Sequence, residues 1–129
     1  YKIVGCVEID IDARQTILRN RPEWNLLSKG DIFNYTPIDI LKECKINPRS
    51  LDLLVGGPPC QPFSKAAHWT KNKNRRLNDP RSKTLTAYFD VLEAALPKAF
   101  ILENVEGFTL LNDNSSINLI TKKIKKINK

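Results

Sequence analysis

The chain has no methionine, a single histidine and only three cysteines in 129 residues. With Tyr1 first and methionine absent, the sequence is expected to be a piece of a longer protein. Cys6, Cys44 and Cys60 are odd in number, widely spaced and outside any C-x-x-C pair. That pattern argues against a disulfide framework and a zinc site, and it suits a reducing cytosol. His68 has no partner at a spacing that would serve a metal or a catalytic triad. No apolar run reaches the ~20 residues needed to cross a bilayer, no secretory pattern opens the chain, and no repeat or linker divides it. Acidic residues are missing from Ile117–Lys129, which carries five lysines, and between Lys65 and Lys83 only Asp79 opposes seven basic residues. The net charge of +7 is therefore local. Charge of this kind fits nucleic acid, a membrane surface or an acidic protein equally well. Hydrophobic content of 41% and charged content of 27% are those of one folded domain with a core.

Apolar runs and helical periodicities alternate along the chain. "YKIVGCVEI" predicts a strand and "DIDARQTILRN" a helix capped by Asp10, ending near Pro22, with Ile11, Ile17 and Leu18 as its apolar positions. "LLSKGDIFNY" predicts a weak strand or turn around Gly30-Asp31. "TPIDILKEC" predicts a short helix, with a Thr cap and Pro at its first position. "LDLLVGG" predicts a buried strand, residues 57–80 a long loop, and "RSKTLTAYFDVLEAAL" a helix with Leu85, Tyr88, Phe89, Leu92 and Leu96 on one side. "KAFILENV" predicts another strand and "SINLITKKIKKINK" a final amphipathic helix whose lysines form a solvated face. The expected class is α/β, with a parallel sheet covered by helices on both faces. Ligands bind such sheets at the carboxyl ends of the strands.

Glu8, Asp31, the turn carrying Cys60, and Glu103-Asn104 occupy those ends. Cys60 and Glu103 are separated by one loop and one helix, a single βαβ unit, so both are expected on the same sheet edge. A lone cysteine is ordinarily an inert core residue. Here the flanking prolines hold the thiol in a turn, and the nearby basic residues favour its thiolate. Lowering a pKa of about 8.5 by ~1.5 units would ionise half of it at pH 7, a differential interaction of roughly 2 kcal/mol. Taken singly, Glu103 could solvate a loop or pair with a lysine, and Glu8 and Asp31 could be cap or turn residues. Glu8 also stands where a nucleotide-binding sheet holds ribose hydroxyls. Cys6 and Cys44 read as structural, while Trp24 and Trp69 have no assigned role.

"GGPPCQPFS" followed by "ILENVEGF" resembles the DNA (cytosine-5) methyltransferase family, whose active-site loop carries Pro-Cys-Gln and whose next strand ends in Glu-Asn-Val. "VEID", "GDI" and "NDPRSKTL" extend the likeness, from about Ile3 to Leu111. The resemblance implies a Rossmann-like, S-adenosylmethionine-dependent fold with an incomplete parallel-sheet core. Cys60 would be the nucleophile and Glu103 its acid partner. Glu8 would bind the cofactor ribose, Ile9 would lie against the adenine, Asp31 and the Ile32 backbone would hold the adenine edge, and Pro59 would line the pocket. Gln61 and Ser64 would meet the DNA backbone, Asn104 would support the loop, and Lys65, Arg75, Arg76 and Arg81 would contact phosphates and close over a flipped base. The implied partners are double-stranded DNA and a cognate restriction endonuclease, with no metal and no membrane, in the cytoplasm of a prokaryote or at its nucleoid.

The family's Phe-x-Gly-x-Gly cofactor turn, its Gln-x-Arg-x-Arg strand and its target-recognition region have no counterpart in these residues. Residues 1–129 are therefore expected to be a partial catalytic domain with little or no activity alone. Two other readings stand beside this one. One is a tRNA cytosine-5 methyltransferase, against which Ser64 and the basic loop lean toward DNA. The other is a non-catalytic nucleic-acid or protein-binding relic of the fold.

Overall fold

The computed structural model describes residues 1–58, 82–103, 121–125 and 127. Its elements, in chain order, are helix α1 (Ile11–Asn20), a 3-10 turn (Ile32–Asn34), α2 (Pro37–Glu43), strand β1 (Leu53–Gly56), α3 (Ser82–Ala95) and β2 (Ala99–Leu102). Residues 121–125 and 127 are helical as well. The chain divides into two compact units, Tyr1–Leu53 with Asp90–Ala99, and Leu54–Phe89 with Phe100–Lys129.

Local chemistry accounts for the helix starts. Asp10 accepts the Ala13 N–H at 2.8 Å and caps α1. Thr36 and Asp39 exchange bonds in a capping box, Asp39 N–H to Thr36 Oγ1 at 3.2 Å and Thr36 N–H to Asp39 Oδ2 at 3.1 Å. Pro37 follows at the position where a missing N–H costs nothing. At its far end α2 closes with Lys45 N–H on Lys42 O and Ile46 N–H on Leu41 O. This paired closure requires a left-handed residue, here Lys45 at φ +54°.

In the first unit Leu27, Tyr35, Ile40, Leu41, Val91, Leu92 and Ala95 are buried; in the second, Leu85, Tyr88 and Phe89. Phe89 is fully enclosed, and emptying such a site costs about 3–5 kcal/mol. The expected buried face of α3 is present, except that Leu96 turns out at φ +46° and ends the helix before Pro97.

Two expectations need correction. The first predicted strand is reduced to one parallel bridge, Cys6 to Leu26. Carbonyls on either side of it are taken by side chains, Val4 O by Asn25 Nδ2 and Glu8 O by Arg14. Of the strand or turn expected around Gly30-Asp31, the structure has the turn, which leads into the 3-10 turn. β1 is not a buried strand. It pairs with β2 in a two-stranded sheet, and constant offsets along the pair (Ala99 N–H to Asp52 O, Glu103 N–H to Gly56 O) make the register parallel. Yet Val55 is 62% exposed and Ile101 52%. A parallel pair is buried only where crossovers cover both faces, and among the described residues nothing covers these two positions. Ile11 and Leu18 are likewise exposed, so α1 buries no residue.

Candidate active site

Within the first unit, the backbone before Asp31 lies against that of Glu8. Glu8 follows the Cys6–Leu26 bridge, and its Oε1 accepts the Asp10 N–H at 2.8 Å, so the start of α1 orients the carboxylate. Asp31 caps the 3-10 turn, its Oδ1 accepting from Phe33 N–H at 2.9 Å. Gly30 joins the two. It holds φ +71°, and a side chain there would meet Glu8 O at 3.1 Å and Arg14 Nη1 at 3.2 Å. Only glycine combines that conformation with that approach. The backbone before Asp31 therefore rests on the backbone of Glu8.

Ile9 is 65% exposed beside Glu8, and Ile32 is half-buried beside Asp31. Two carboxylates on adjoining backbones, flanked by an exposed aliphatic side chain, suit a ligand with hydroxyl and N–H donors on an apolar ring. An adenosine group has that chemistry. Asp31 is a turn cap, which is the bland one of its two readings.

Three side chains that hold this loop escaped the sequence reading. Tyr35 Oη accepts the Lys29 N–H at 2.8 Å, Glu43 accepts the Ser28 N–H at 2.7 Å, and Arg14 reaches two carbonyls. The bonds from Ser28 hold the Glu43 carboxyl below its ordinary range. Arg14 left one trace in the sequence, a cation in the first half of a helix, where the helix dipole disfavours it.

Cys6 and Cys44 are half-buried free thiols, each pushed upward in pKa by desolvation and secondarily by Glu8 or Glu43. A thiol so shifted is a poor nucleophile near neutrality.

Within the second unit, Glu103 follows β2 and its N–H donates to Gly56 O at 2.9 Å. The parallel register thus continues one residue past the strand. A side chain on Gly57 would lie 2.9 Å from Glu103 Oε2, so the carboxylate sits against the Gly57 backbone, three positions before Cys60 in the sequence. Tyr88 supports both strands from α3. Its hydroxyl lies 3.1 Å from Ile101 O and 3.5 Å from Leu54 O, and its ring fills the space where a Gly56 side chain would go. Burial pushes its pKa up to about 12, so the hydroxyl stays a donor at any working pH.

Cys60, Pro59, Gln61, Ser64, Lys65, Arg75, Arg76, Arg81 and Asn104 lie outside the described residues. Among the described residues, no three His, Cys, Asp or Glu side chains are grouped to hold a metal ion. No helix among them is long and apolar enough to cross a membrane.

Comparison with known proteins points the same way as the two motifs. The chain is 40% identical over 107 residues to the type II methyltransferase M.AquIA of Picosynechococcus sp., a match covering 83% of this chain and 41% of that protein. It is 35% identical to M.SacI of Streptomyces achromogenes, over 84% of this chain and 27% of the relative. It is 33% identical to M.Sau96I of Staphylococcus aureus, over 92% and 25%. The chain thus spans between a quarter and about two fifths of the length of these curated relatives. The model of the C-5 cytosine-specific DNA methylase family matches residues 1–128, and the chain belongs to that family.

Proposed function

We propose that the protein containing this chain transfers a methyl group from S-adenosylmethionine to carbon 5 of a cytosine in double-stranded DNA, as the modification half of a restriction–modification pair. The family match over residues 1–128 carries this reading. The type II names of the relatives support the restriction setting. The proposed fold is the Rossmann-like one, of which the parallel β1–β2 pair with its crossover helix would be a part.

Carbon 5 of cytosine is too weak a nucleophile to be alkylated directly. Cys60, as thiolate, adds to carbon 6 and breaks the ring's conjugation, while Glu103 holds a proton at ring nitrogen 3 and so neutralises the developing charge. The ring becomes an enamine with its electron density at carbon 5. Once carbon 5 has taken the methyl group the cofactor would supply, with the electron pair of the broken S–CH3 bond left on sulfur as a neutral thioether, loss of the carbon 5 proton to a base restores the double bond and expels Cys60 as thiolate. A stacked base cannot be approached from its face, so the target must leave the duplex. Lys65, Arg75, Arg76 and Arg81 would hold the flanking phosphates during that step.

Glu8 and Asp31 are the residues that would hold the cofactor's adenosine end, with Ile9 against the ring. When bound, S-adenosylmethionine supplies the electrophilic methyl group. The approach of the Gly30 backbone to Glu8 O supports this assignment, because it brings the residue before Asp31 against the backbone of Glu8.

The test is mechanism-based trapping. Full-length protein, cofactor and duplex DNA carrying 5-fluorocytosine should give a denaturation-resistant adduct, and Cys60→Ser should abolish it. An unchanged adduct in Cys60→Ser would remove the proposed nucleophile. Adduct formation on tRNA but not on duplex DNA would reassign the substrate.

A further inference from the structure

We infer that Arg14 is a positioning residue for the cofactor site: its guanidinium clamps the carbonyls of Glu8 and Leu27, and so sets the separation of the Glu8 and Asp31 carboxylates. This rests on the cofactor assignment made above and adds to it a residue that would touch no part of the cofactor. Arg14 sits on α1, half-buried, and its Nη1 donates to Glu8 O at 2.9 Å and to Leu27 O at 3.1 Å. One nitrogen with two N–H groups thus bridges two segments whose backbone pairing is a single bridge, Cys6 to Leu26. Beyond that bridge the segments would diverge, and Arg14 stands where ladder hydrogen bonds would otherwise be. The clamp has a second contact. The guanidinium packs against the Cβ position of Gly30, with Nη1 at 3.2 Å and Cζ at 3.6 Å, directly before Asp31.

Other bonds hold the far side of this loop. Tyr35 and Glu43 tie Lys29 and Ser28 toward α2. Those bonds do not reach Glu8. Asp10 orients the Glu8 carboxylate but is its near neighbour in sequence and says nothing about Asp31. Arg14 alone among these residues touches the backbone of Glu8 and the residue before Asp31. A charged donor is well chosen for this, since bonds from charged groups to carbonyls are stronger than neutral ones.

The test uses the full-length enzyme and measures KM for S-adenosylmethionine, KM for duplex DNA, kcat, and the dissociation constant for S-adenosylhomocysteine. Removing the clamp leaves two carbonyls short of a donor, so Arg14→Ala should raise the cofactor KM and the homocysteine-product dissociation constant by about tenfold or more. At saturating cofactor, kcat and the DNA KM should stay within about twofold. Arg14→Lys keeps the cation and donors on a shorter, differently shaped head and should fall between wild type and alanine. A purely structural role would lower active-enzyme concentration, and hence apparent kcat, without moving either cofactor constant.

Glu8→Ala is the control that separates the two levels of the argument. If Glu8→Ala raises the cofactor constants while Arg14→Ala and Arg14→Lys leave them at wild type, the clamp is refuted and the cofactor site stands. If Glu8→Ala itself leaves them unchanged, the cofactor assignment fails and the clamp with it. In the double variant the two losses should be markedly less than additive, because Arg14 acts through the placement of Glu8; full additivity would overturn the proposal. Should Arg14→Ala not accumulate as folded protein, Arg14→Lys and its split between cofactor and DNA constants decide the matter alone.

Discussion

Gly56 and Gly57 are adjacent, and neither has the positive φ that only glycine favours, yet a methyl group at each would meet a different obstacle. At Gly56 the added carbon would stand 2.5 Å from the Tyr88 ring, a buried side chain pinned by its hydroxyl. At Gly57 it would stand 2.9 Å from Glu103 Oε2, the far end of an exposed and flexible side chain. The two alanine variants should therefore separate stability from chemistry. Gly56→Ala is expected to lose about 1–3 kcal/mol in chemical denaturation, the usual cost of overpacking. Gly57→Ala is expected to unfold within roughly 0.5 kcal/mol of wild type. In full-length enzyme it should slow single-turnover methyl transfer, because the carboxylate must move. Equal stability losses in the two variants would contradict the placement of Glu103. Nothing in "VGGPP" distinguishes these glycines, since both close the predicted strand "LDLLVGG". Only the ring under one and the carboxylate over the other give them different meanings.

Among the elements, α2 shows how much a short helix owes to its ends. Seven residues are too few for a stable isolated helix, so its capping box and its closure at Lys45 matter along with the burial of Ile40 and Leu41. The Asp39 carboxyl is held below its ordinary value of 3.8, first by the Thr36 hydroxyl and next by the Thr36 N–H. A carboxyl depressed by folding adds stability that is fully present above its unfolded pKa and disappears as pH falls through the folded one. Wild type should accordingly be more stable than Asp39→Asn at pH 7, and the gap should narrow once pH drops below 3.8 toward the lower folded value. Urea midpoints measured at several pH values would check this. A gap that widened with acid would mean that Asp39 is not stabilised as an anion. This element was readable in advance, because Thr-Pro-x-Asp specifies its own hydrogen bonds within four residues. The bridge at Cys6 was not, because pairing there depends on residues about twenty positions away.

Taken whole, the 129-residue chain displays apolar surface in an unusual place. Val55, Phe100 and Ile101 belong to a parallel strand pair, the arrangement that ordinarily has both faces covered, yet all three are exposed. The curated relatives are two to five times as long as the part that this chain matches. An exposed β surface of this composition promotes association. The isolated chain should therefore bind an environment-sensitive apolar dye and scatter light increasingly with concentration. Val55→Thr combined with Ile101→Thr should suppress both signals while far-ultraviolet circular dichroism stays the same. A dye-silent, monomeric wild-type chain would refute the exposure of this sheet.

The amino-acid order alone determined the caps of α1 and α2, the buried stripe of α3 and the position of Glu103 just past a strand. Each depends on neighbours three or four residues away, or on a periodicity read along one segment. The order also carried the Pro-Cys-Gln and Glu-Asn-Val motifs on which membership of the family could be foreseen. Tertiary structure alone decided that Arg14 would span Glu8 and Leu27, that Tyr88 would brace Leu54 and Ile101, and that the strands would be exposed rather than buried. The reason is distance along the chain. A hydrogen bond that closes over three residues is specified by those residues, whereas one that closes over thirteen or thirty-four exists only after the backbone has folded to bring its ends together.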